Sequence, residues 1–135
     1  MKEKTKWLIW IMFCIIVIIV SAIFIIYNTS PKIDREAMAT EIAQYVYGLD
    51  NVQDIEADGD SIFKITISGD SWYSTEEKDK MIYCKAVNQT ITAICQKYKA
   101  IKDTQRAHVY YYDEYGILLA EPSDELFTLE SKILH

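Results

Sequence analysis

The hydrophobic pattern divides the chain into one unbroken apolar segment and a remainder in which apolar and polar positions alternate. Residues 7–27, WLIWIMFCIIVIIVSAIFIIY, contain no charged side chain. At about 1.5 Å of rise per residue, a helix of this length reaches about 30 Å, the thickness of a bilayer's hydrocarbon core. The pattern predicts a transmembrane helix at residues 7–27, a cytoplasmic tip at residues 1–6 and a linker at residues 28–30.

A cleaved secretory signal peptide is the alternative interpretation of this segment. The apolar region of a signal peptide is usually about 7 to 15 residues long and ends at a cleavage site of small residues. Val20-Ser21-Ala22 resembles such a site, but the apolar segment continues from Ile23 to Tyr27. The greater length favours a retained anchor.

Basic residues and aromatic rings at the ends of the segment indicate its orientation and its borders. Trp7, Trp10 and Tyr27 lie where amphipathic rings favour the headgroup layer. Three basic residues precede the segment and two follow it closely: Lys2, Lys4, Lys6, Lys32 and Arg35. Because Lys and Arg are enriched on the cytoplasmic side, we expect the N-terminus inside the cytoplasmic membrane and residues 31–135 outside.

Residues 31–135 have the spacing of short helices and strands. Ser30-Pro31 provides an N-cap and a first helical residue, and helical spacing continues to Leu49. Two strands are predicted next, at residues 52–57 and 61–68. Ser74 and Glu77 form a capping box, which predicts a helix that extends to about Lys99.

The last third of the chain predicts a second hairpin and a short final element. Residues 106–112 and 117–120 alternate as strands around a turn at residues 113–116. Residues 122–125, Pro-Ser-Asp-Glu, look like the start of a C-terminal helix, although the following LFTLESKIL also fits a strand. The predicted fold is α+β: a transmembrane helix, then α-β-β-α-β-β with helices on one face of a mostly antiparallel sheet, and a short C-terminal helix.

The alternation of apolar and polar residues in the first hairpin predicts which residues of its two strands pair. Phe63, Ile65 and Ile67 alternate with polar residues, so these odd positions face the core. A three-residue loop from Asp58 to Asp60 would pair Ile55 with Phe63 and keep carboxylates out of the core.

The element order over residues 31–120 resembles that of the BON domain and of the ring-building domains of bacterial secretion and sporulation machines. The resemblance is one of topology, with no motif residues, and it implies a role in assembly. The acidic balance of this part of the chain argues against a BON-like role on phospholipid.

Composition excludes some classes of partner. Residues 28–135 carry 11 Lys and Arg against 19 Asp and Glu, a net charge of −8. Such a domain is a poor candidate for nucleic acid, whose phosphates require basic clusters.

Cys84 and Cys95 stand 11 residues apart on one predicted helix, about 16 Å along its axis, so they cannot form a disulfide. Both belong to an apolar stripe, and we expect buried structural thiols.

Residues 54–60, DIEADGD, match the start of a calcium-binding EF-hand loop. That loop requires a bidentate Glu at its twelfth position, where this chain has Ile65. We expect a solvated hairpin tip without a metal, and no sequence feature predicts a cofactor.

Tyrosines concentrated in the second hairpin are the best candidate for a functional surface. Alternation places Val109 and Tyr111 on one face and His108, Tyr110 and Tyr112 on the other. Aromatic side chains are enriched in protein interfaces, although tyrosine also suits ordinary strands. His108 lacks the partners of a zinc site or a catalytic triad. Trp72 is a further candidate contact, or the wall of a small pocket.

These features predict a single-pass, extracytoplasmic interaction or assembly module of a bacterial cell-envelope complex, without enzymatic activity. Its expected partners are the membrane, one or more proteins and, as a further option, a second copy of the chain. A domain that senses a small ligand or a cation is the alternative, and an envelope enzyme is the third.

Overall fold

The computed structural model describes residues 2–29, 33–125 and 128–135, which fall into two compact units, residues 1–32 and 33–135. The first unit is helix α1, Lys2–Thr29. Its segment Glu3–Ile25 is long and apolar enough to cross a membrane, a test that an N-terminal signal sequence also passes. The side chains from Glu3 to Ile25 are all exposed.

The second unit is a five-stranded sheet with three helices among its described residues. The elements are α2 (Arg35–Tyr47), β1 (Val52–Ala57), β2 (Ile62–Ile67), α3 (Gly69–Tyr73), α4 (Glu77–Lys97), β3 (His108–Tyr112), β4 (Leu118–Pro122) and β5 (Ser131–Ile133). The strands lie in chain order across the sheet. β2 and β3 are parallel, and the other neighbours are antiparallel. The predicted α+β class with a mostly antiparallel sheet is confirmed.

Helix α2 begins later than the sequence predicts. Ser30 and Pro31 lie outside the described residues, and Ile33 and Asp34 are not helical. The Asp34 carboxylate accepts a hydrogen bond from the Ala37 N–H at 3.0 Å and caps the helix at Arg35. Aspartate is as good an N-cap as serine, so a second start signal lay within the predicted helix.

The predicted capping box of Ser74 and Glu77 is wrong. Gly69–Tyr73 form the short helix α3, and Ser74 is its C-cap. The Ser74 hydroxyl donates to the Ser71 carbonyl at 3.0 Å and is not available to α4. Helix α4 instead follows Glu76, an extended residue that makes no side-chain cap.

In the first hairpin, odd-numbered residues such as Ile55 and Ala57 pair with odd-numbered residues of β2, as predicted, but the individual pairs differ from the predicted ones. Ile55 lies opposite Ile65, and Ala57 lies opposite Phe63, so the pairing of Ile55 with Phe63 is wrong. The connection is residues 58–61, closed by a hydrogen bond from the Asp58 N–H to the Ile62 carbonyl at 2.8 Å. The longer connection accounts for the different pairing, and a separate register shift lies at the other end of β1, between Val52 and Asp54.

The C-terminal segment is a strand and not the expected helix. Ser131–Ile133 form β5, which pairs with β4 through Ala120 and Ile133. Leu126 and Phe127 lie outside the described residues. The strand alternative for LFTLESKIL is therefore the correct one for residues 131–133, and the pairing completes the sheet at the β4 edge.

The hydrophobic core lies between the helices and one face of the sheet, which we call the inner face. Inner-face side chains of β2 and β3 pack in the same cluster as buried side chains of α2, α3 and α4. The inner-face residues of the two strands are Phe63, Ile65, Ile67, Val109 and Tyr111. Cys84 and Cys95 are free thiols in this core with 0 % exposure, which confirms the predicted burial.

A polar network inside the core joins α4, β3 and β5. The Tyr111 hydroxyl donates to Asn88 Oδ1 at 2.7 Å. Asn88 Nδ2 donates in turn to the Leu129 carbonyl and to Ser131 Oγ, each at 2.8 Å. Because Asn88 is 5 % exposed, water cannot replace these partners easily.

We predict that Asn88→Leu destabilises the protein by about 1 to 3 kcal/mol, since it removes the buried partner of Ser131 and leaves the Tyr111 hydroxyl only the longer contact with the Cys84 carbonyl, at 3.3 Å. Urea unfolding of the variant measures the loss. Gln89→Ala, on the exposed side of the same helix, is the control and should change the free energy of unfolding by less than about 0.5 kcal/mol. Equal stability of Asn88→Leu and the unchanged protein would contradict the network's role.

The buried thiols predict a loss of stability at alkaline pH. Burial raises the pKa of the Cys84 thiol to about 12 and that of Cys95 to about 11. In the unfolded chain a thiol ionises near about 8.5, so above that pH the unfolded state releases its protons first. The free energy of unfolding should therefore fall as the pH rises from about 8.5 towards 11.

Urea unfolding between pH 7 and about pH 10.5 tests this expectation. The double variant Cys84→Ala and Cys95→Ala should lose stability less steeply over that range than the unchanged protein. Parallel pH profiles for the two proteins would show that the thiols make no contribution.

Candidate functional site

The face of the sheet opposite the core carries the tyrosines that the sequence singled out. On β3 the side chains of His108, Tyr110 and Tyr112 are partly exposed. Val109 and Tyr111 between them are 1 % and 0 % exposed. The structure thus brings the three predicted residues together in one row along a strand in the middle of the sheet. We call this row and its neighbours on the adjacent strands the outer face.

Parallel pairing with β2 supplies the next row of the outer face. Ile62, Lys64 and Thr66 lie beside His108, Tyr110 and Tyr112 in that order. All three β2 residues are partly exposed. Glu56 of β1 lies opposite Lys64, so charged and polar groups border the tyrosines on this side.

The other side of the tyrosine row is apolar near the β3–β4 turn. Leu118 pairs with Tyr112 and is partly exposed. In the turn itself, Tyr115 is 83 % exposed and Ile117 is 46 % exposed. The Asp113 carboxylate accepts hydrogen bonds from the N–H groups of both at 2.9 Å, which holds the turn in one conformation. The turn that follows Tyr112 therefore exposes two apolar side chains beside Glu114, whose carboxylate accepts a hydrogen bond from the Gly69 N–H of α3.

Tyr110 and Tyr112 are not among the residues that pack against the core, whereas His108 lines a cavity together with Gln89 and Thr92 of α4. The buried hydrophobic side chains of α2, α3 and α4 belong to the core on the inner face. The partly exposed tyrosine rings on the outer face are of the residue type enriched at protein contact surfaces.

His108 contributes an uncharged ring to this surface. Its burial and the nearby Arg106 cation lower the pKa of His108 below its usual range, so the imidazole is neutral at neutral pH. The Arg106 guanidinium itself donates to the carbonyls of Ser123 and Thr128 and holds the β4–β5 connection. Within residues 2–29, 33–125 and 128–135, no cluster of three or more His, Cys, Asp or Glu is placed to hold a metal ion.

Trp72 does not belong to the outer face, and it lines a small cleft instead, which agrees with the second interpretation of this residue. It is 4 % exposed and packs inside the core, with its ring stacked on that of Tyr111 at a centroid distance of 6.5 Å. Its indole N–H donates to the main-chain oxygen of His135 at 2.9 Å. The local sequence around Trp72 does not predict its burial, because its stacking partner Tyr111 lies far along the chain.

Sequence reasoning also missed two polar side chains beside Trp72. Lys80 is only 8 % exposed, and its ammonium donates to the His135 oxygen at 3.0 Å and lies 5.3 Å from the centre of the Trp72 ring. The Tyr83 hydroxyl is buried and has no hydrogen-bond partner among the described residues. Neither property follows from helical spacing, since both depend on elements that are distant in the chain.

Comparison with protein-family models, with curated proteins and with solved structures finds no match to this chain. The resemblance of the element order to the BON domain and to ring-building domains therefore remains a resemblance of topology. The function has to be argued from the surfaces of this protein alone.

Proposed function

We propose that the protein is a single-pass membrane protein whose residues 31–135 act as a protein-interaction module in a bacterial envelope complex. The observation that carries the proposal is the outer face, where Tyr110 and Tyr112 lie partly exposed on a central strand and outside the hydrophobic core. The proposed role is binding, without catalysis.

The chemistry of the outer face favours a protein as the partner. Tyrosine offers a large, rigid contact area and a hydroxyl for hydrogen bonding, which is why it is enriched at interface hot spots. Lys64, Thr66 and Glu56 provide a polar border of the kind that surrounds interface cores. The net charge of −8 on residues 28–135 disfavours nucleic acid and an anionic lipid surface.

Helix α1 supports the membrane anchor in this proposal. It exposes apolar side chains from Trp7 to Ile25, including Trp7 at 72 % and Trp10 at 71 %. Such a surface is stable only when lipid or another apolar phase covers it. The excess of lysines before the apolar segment favours an N-terminus inside and residues 31–135 outside.

A single introduced thiol tests the orientation. Lys78 lies on the exposed side of α4, whereas Cys84 and Cys95 are buried, so Lys78→Cys adds one accessible thiol to residues 31–135. We expect a membrane-impermeant maleimide to label this variant in intact cells and to leave the unchanged protein unlabelled. Labelling that occurs only after the cells are lysed would place the domain inside and overturn the orientation.

The double variant Tyr110→Ala and Tyr112→Ala tests the interaction surface. We expect the full-length protein, extracted in mild detergent, to copurify with specific companion proteins and the double variant to lose them. Truncation of a hot-spot residue costs about 2 kcal/mol or more of binding free energy, a decrease in affinity of roughly 30-fold. The melting temperature should stay close to that of the unchanged protein, because neither ring is in the core.

Tyr47→Ala is the matched control, since Tyr47 is a 54 % exposed tyrosine on α2 in the helical layer. It should retain the companion proteins. Retention by the Tyr110/Tyr112 variant as well, or a large decrease in its melting temperature, would contradict the proposed surface.

A further inference from the structure

We propose that the open edge of β1 and the groove between β1 and α2 bind an extended segment of a partner protein in which apolar and basic residues alternate. The segment would pair with β1 as an additional strand of the sheet. This site is separate from the outer face and does not depend on Tyr110 or Tyr112. We call it the β1 edge site.

β1 is the longer of the two edge strands. The strand order is β1-β2-β3-β4-β5, so β1 and β5 each have one neighbour in the sheet. β5 has three residues, whereas β1 has six, and four of these six are exposed: Gln53, Asp54, Glu56 and Ala57. An edge strand presents unpaired N–H and C=O groups with which another chain can form hydrogen bonds.

The hydrogen bonds of the first hairpin show which groups of β1 point away from the sheet. The Asp58 N–H donates to the Ile62 carbonyl, and in an antiparallel pair such bonded positions alternate along the strand. Ile55 and Ala57 therefore occupy the positions whose N–H and C=O groups point away from β2. In the described part of the chain, no other main-chain group bonds to them.

A groove of about 420 Å³ lies beside these two residues, between β1 and α2. Ile55 and Ala57 form its β1 wall, so the residues with outward main-chain groups also line the groove. On α2 the small side chains of Ala39 and Ala43, one turn apart, leave space between the helix and the strand. Side chains of an added strand that lie beside Ile55 and Ala57 would enter this apolar space.

Two polar contacts connect α2 to the first hairpin at the ends of the groove. The Arg35 guanidinium donates to both carboxylate oxygens of Asp60, at 2.8 and 3.1 Å. The Tyr47 hydroxyl donates to the Asp54 carboxylate at 3.1 Å. The groove is therefore present without the segment, and binding does not have to open it.

The charge along the edge favours basic residues in the segment. Three exposed carboxylates alternate with the groove-lining residues of β1: Asp54, Glu56 and Asp58. None of them forms an ion pair in the described part of the chain, and Lys64 opposite Glu56 leaves the row with an excess of negative charge. Successive side chains of an added strand point to opposite faces, so apolar ones would lie in the groove and the alternate ones near the carboxylates.

The same charges disfavour a second copy of β1 as the occupant. Two β1 edges side by side would bring the carboxylates of one copy close to those of the other, and like charges on paired strands are destabilising. The β5 edge of a second copy offers three residues, half the length of β1. The occupant that fits is a basic segment of another protein.

Fluorescence anisotropy of labelled peptides with the full-length protein in a mild non-ionic detergent tests the proposal. The probe is an acetylated and amidated peptide of about eight residues that alternates lysine and valine. Three matched peptides replace every lysine by glutamate, replace every valine by serine, or carry N-methyl groups on the backbone nitrogens. We expect the lysine–valine peptide to bind and each matched peptide to bind at least about tenfold more weakly, because they lack the charge, the apolar side chains and the N–H donors respectively.

Variants locate the binding at the β1 edge site. Ala57→Pro removes one outward N–H without breaking a bond to β2, and it should reduce the affinity for the peptide by roughly fivefold or more. Ala57→Ser keeps the N–H and should bind as the unchanged protein does. Ala39→Trp fills the groove and should also weaken binding, whereas Gln44→Trp, at an exposed position of α2 that does not line the groove, is its control.

The outer face is tested independently of this site. The double variant Tyr110→Ala and Tyr112→Ala should bind the peptide with unchanged affinity. Companion proteins that this double variant loses and Ala57→Pro keeps belong to the outer face. Where Ala57→Pro lowers the melting temperature, the comparison of Ala39→Trp with Gln44→Trp decides.

Four results would overturn the proposal. No binding of the lysine–valine peptide up to about 1 mM would exclude this class of segment. Equal binding of the glutamate–valine peptide would show that the carboxylates do not select the segment. Equal affinity of Ala57→Pro and Ala57→Ser would place the peptide elsewhere. A dimer of the unchanged protein that Ala57→Pro dissociates would assign the edge to a second copy of the chain.

Discussion

The parallel pairing of β2 with β3 is the constraint on which the rest of the second unit depends. Parallel neighbours need a crossover connection of a dozen or more residues, and here α3, α4 and their flanking loops form it. A crossover helix has to bury its apolar stripe against the sheet, so α4 defines the inner face and α2 packs into the same core. Successive tyrosines of β3 point to opposite faces of the sheet. Tyr111 is therefore buried on the inner face, and Tyr110 and Tyr112 lie on the outer face.

The polar groups inside this core fall into two kinds. Asn88 uses its oxygen and its nitrogen fully, on Tyr111, Leu129 and Ser131, and so fixes the position of the short strand β5. Tyr83, one turn earlier on α4, has a buried hydroxyl without a described partner. The network of Asn88 explains how α4 holds β5, whereas the Tyr83 hydroxyl makes no such contact in the described residues.

The sequence predicts what depends on local periodicity and on parity. The apolar run of α1, the bounds of β1, the alternation of β3 and the inner-face positions of β2 all follow from spacing of 3.6 or 2 residues. It does not predict what tertiary contacts decide. Ser74 caps α3 instead of starting α4, and the three-residue strand β5 is too short for its period to show. The burial of Trp72 depends on Tyr111 and His135, which local spacing does not connect to it.

The central claim is that the outer face contacts a protein, and site-specific photocrosslinking tests it most directly. A photoreactive phenylalanine analogue would replace Tyr110 in the full-length protein, in the cells that produce it naturally. The same analogue at Ile82, 59 % exposed on α4, is the control. The account predicts a light-dependent product of defined mass from position 110 and none from position 82. No product from position 110, or the same product from both positions, would contradict it.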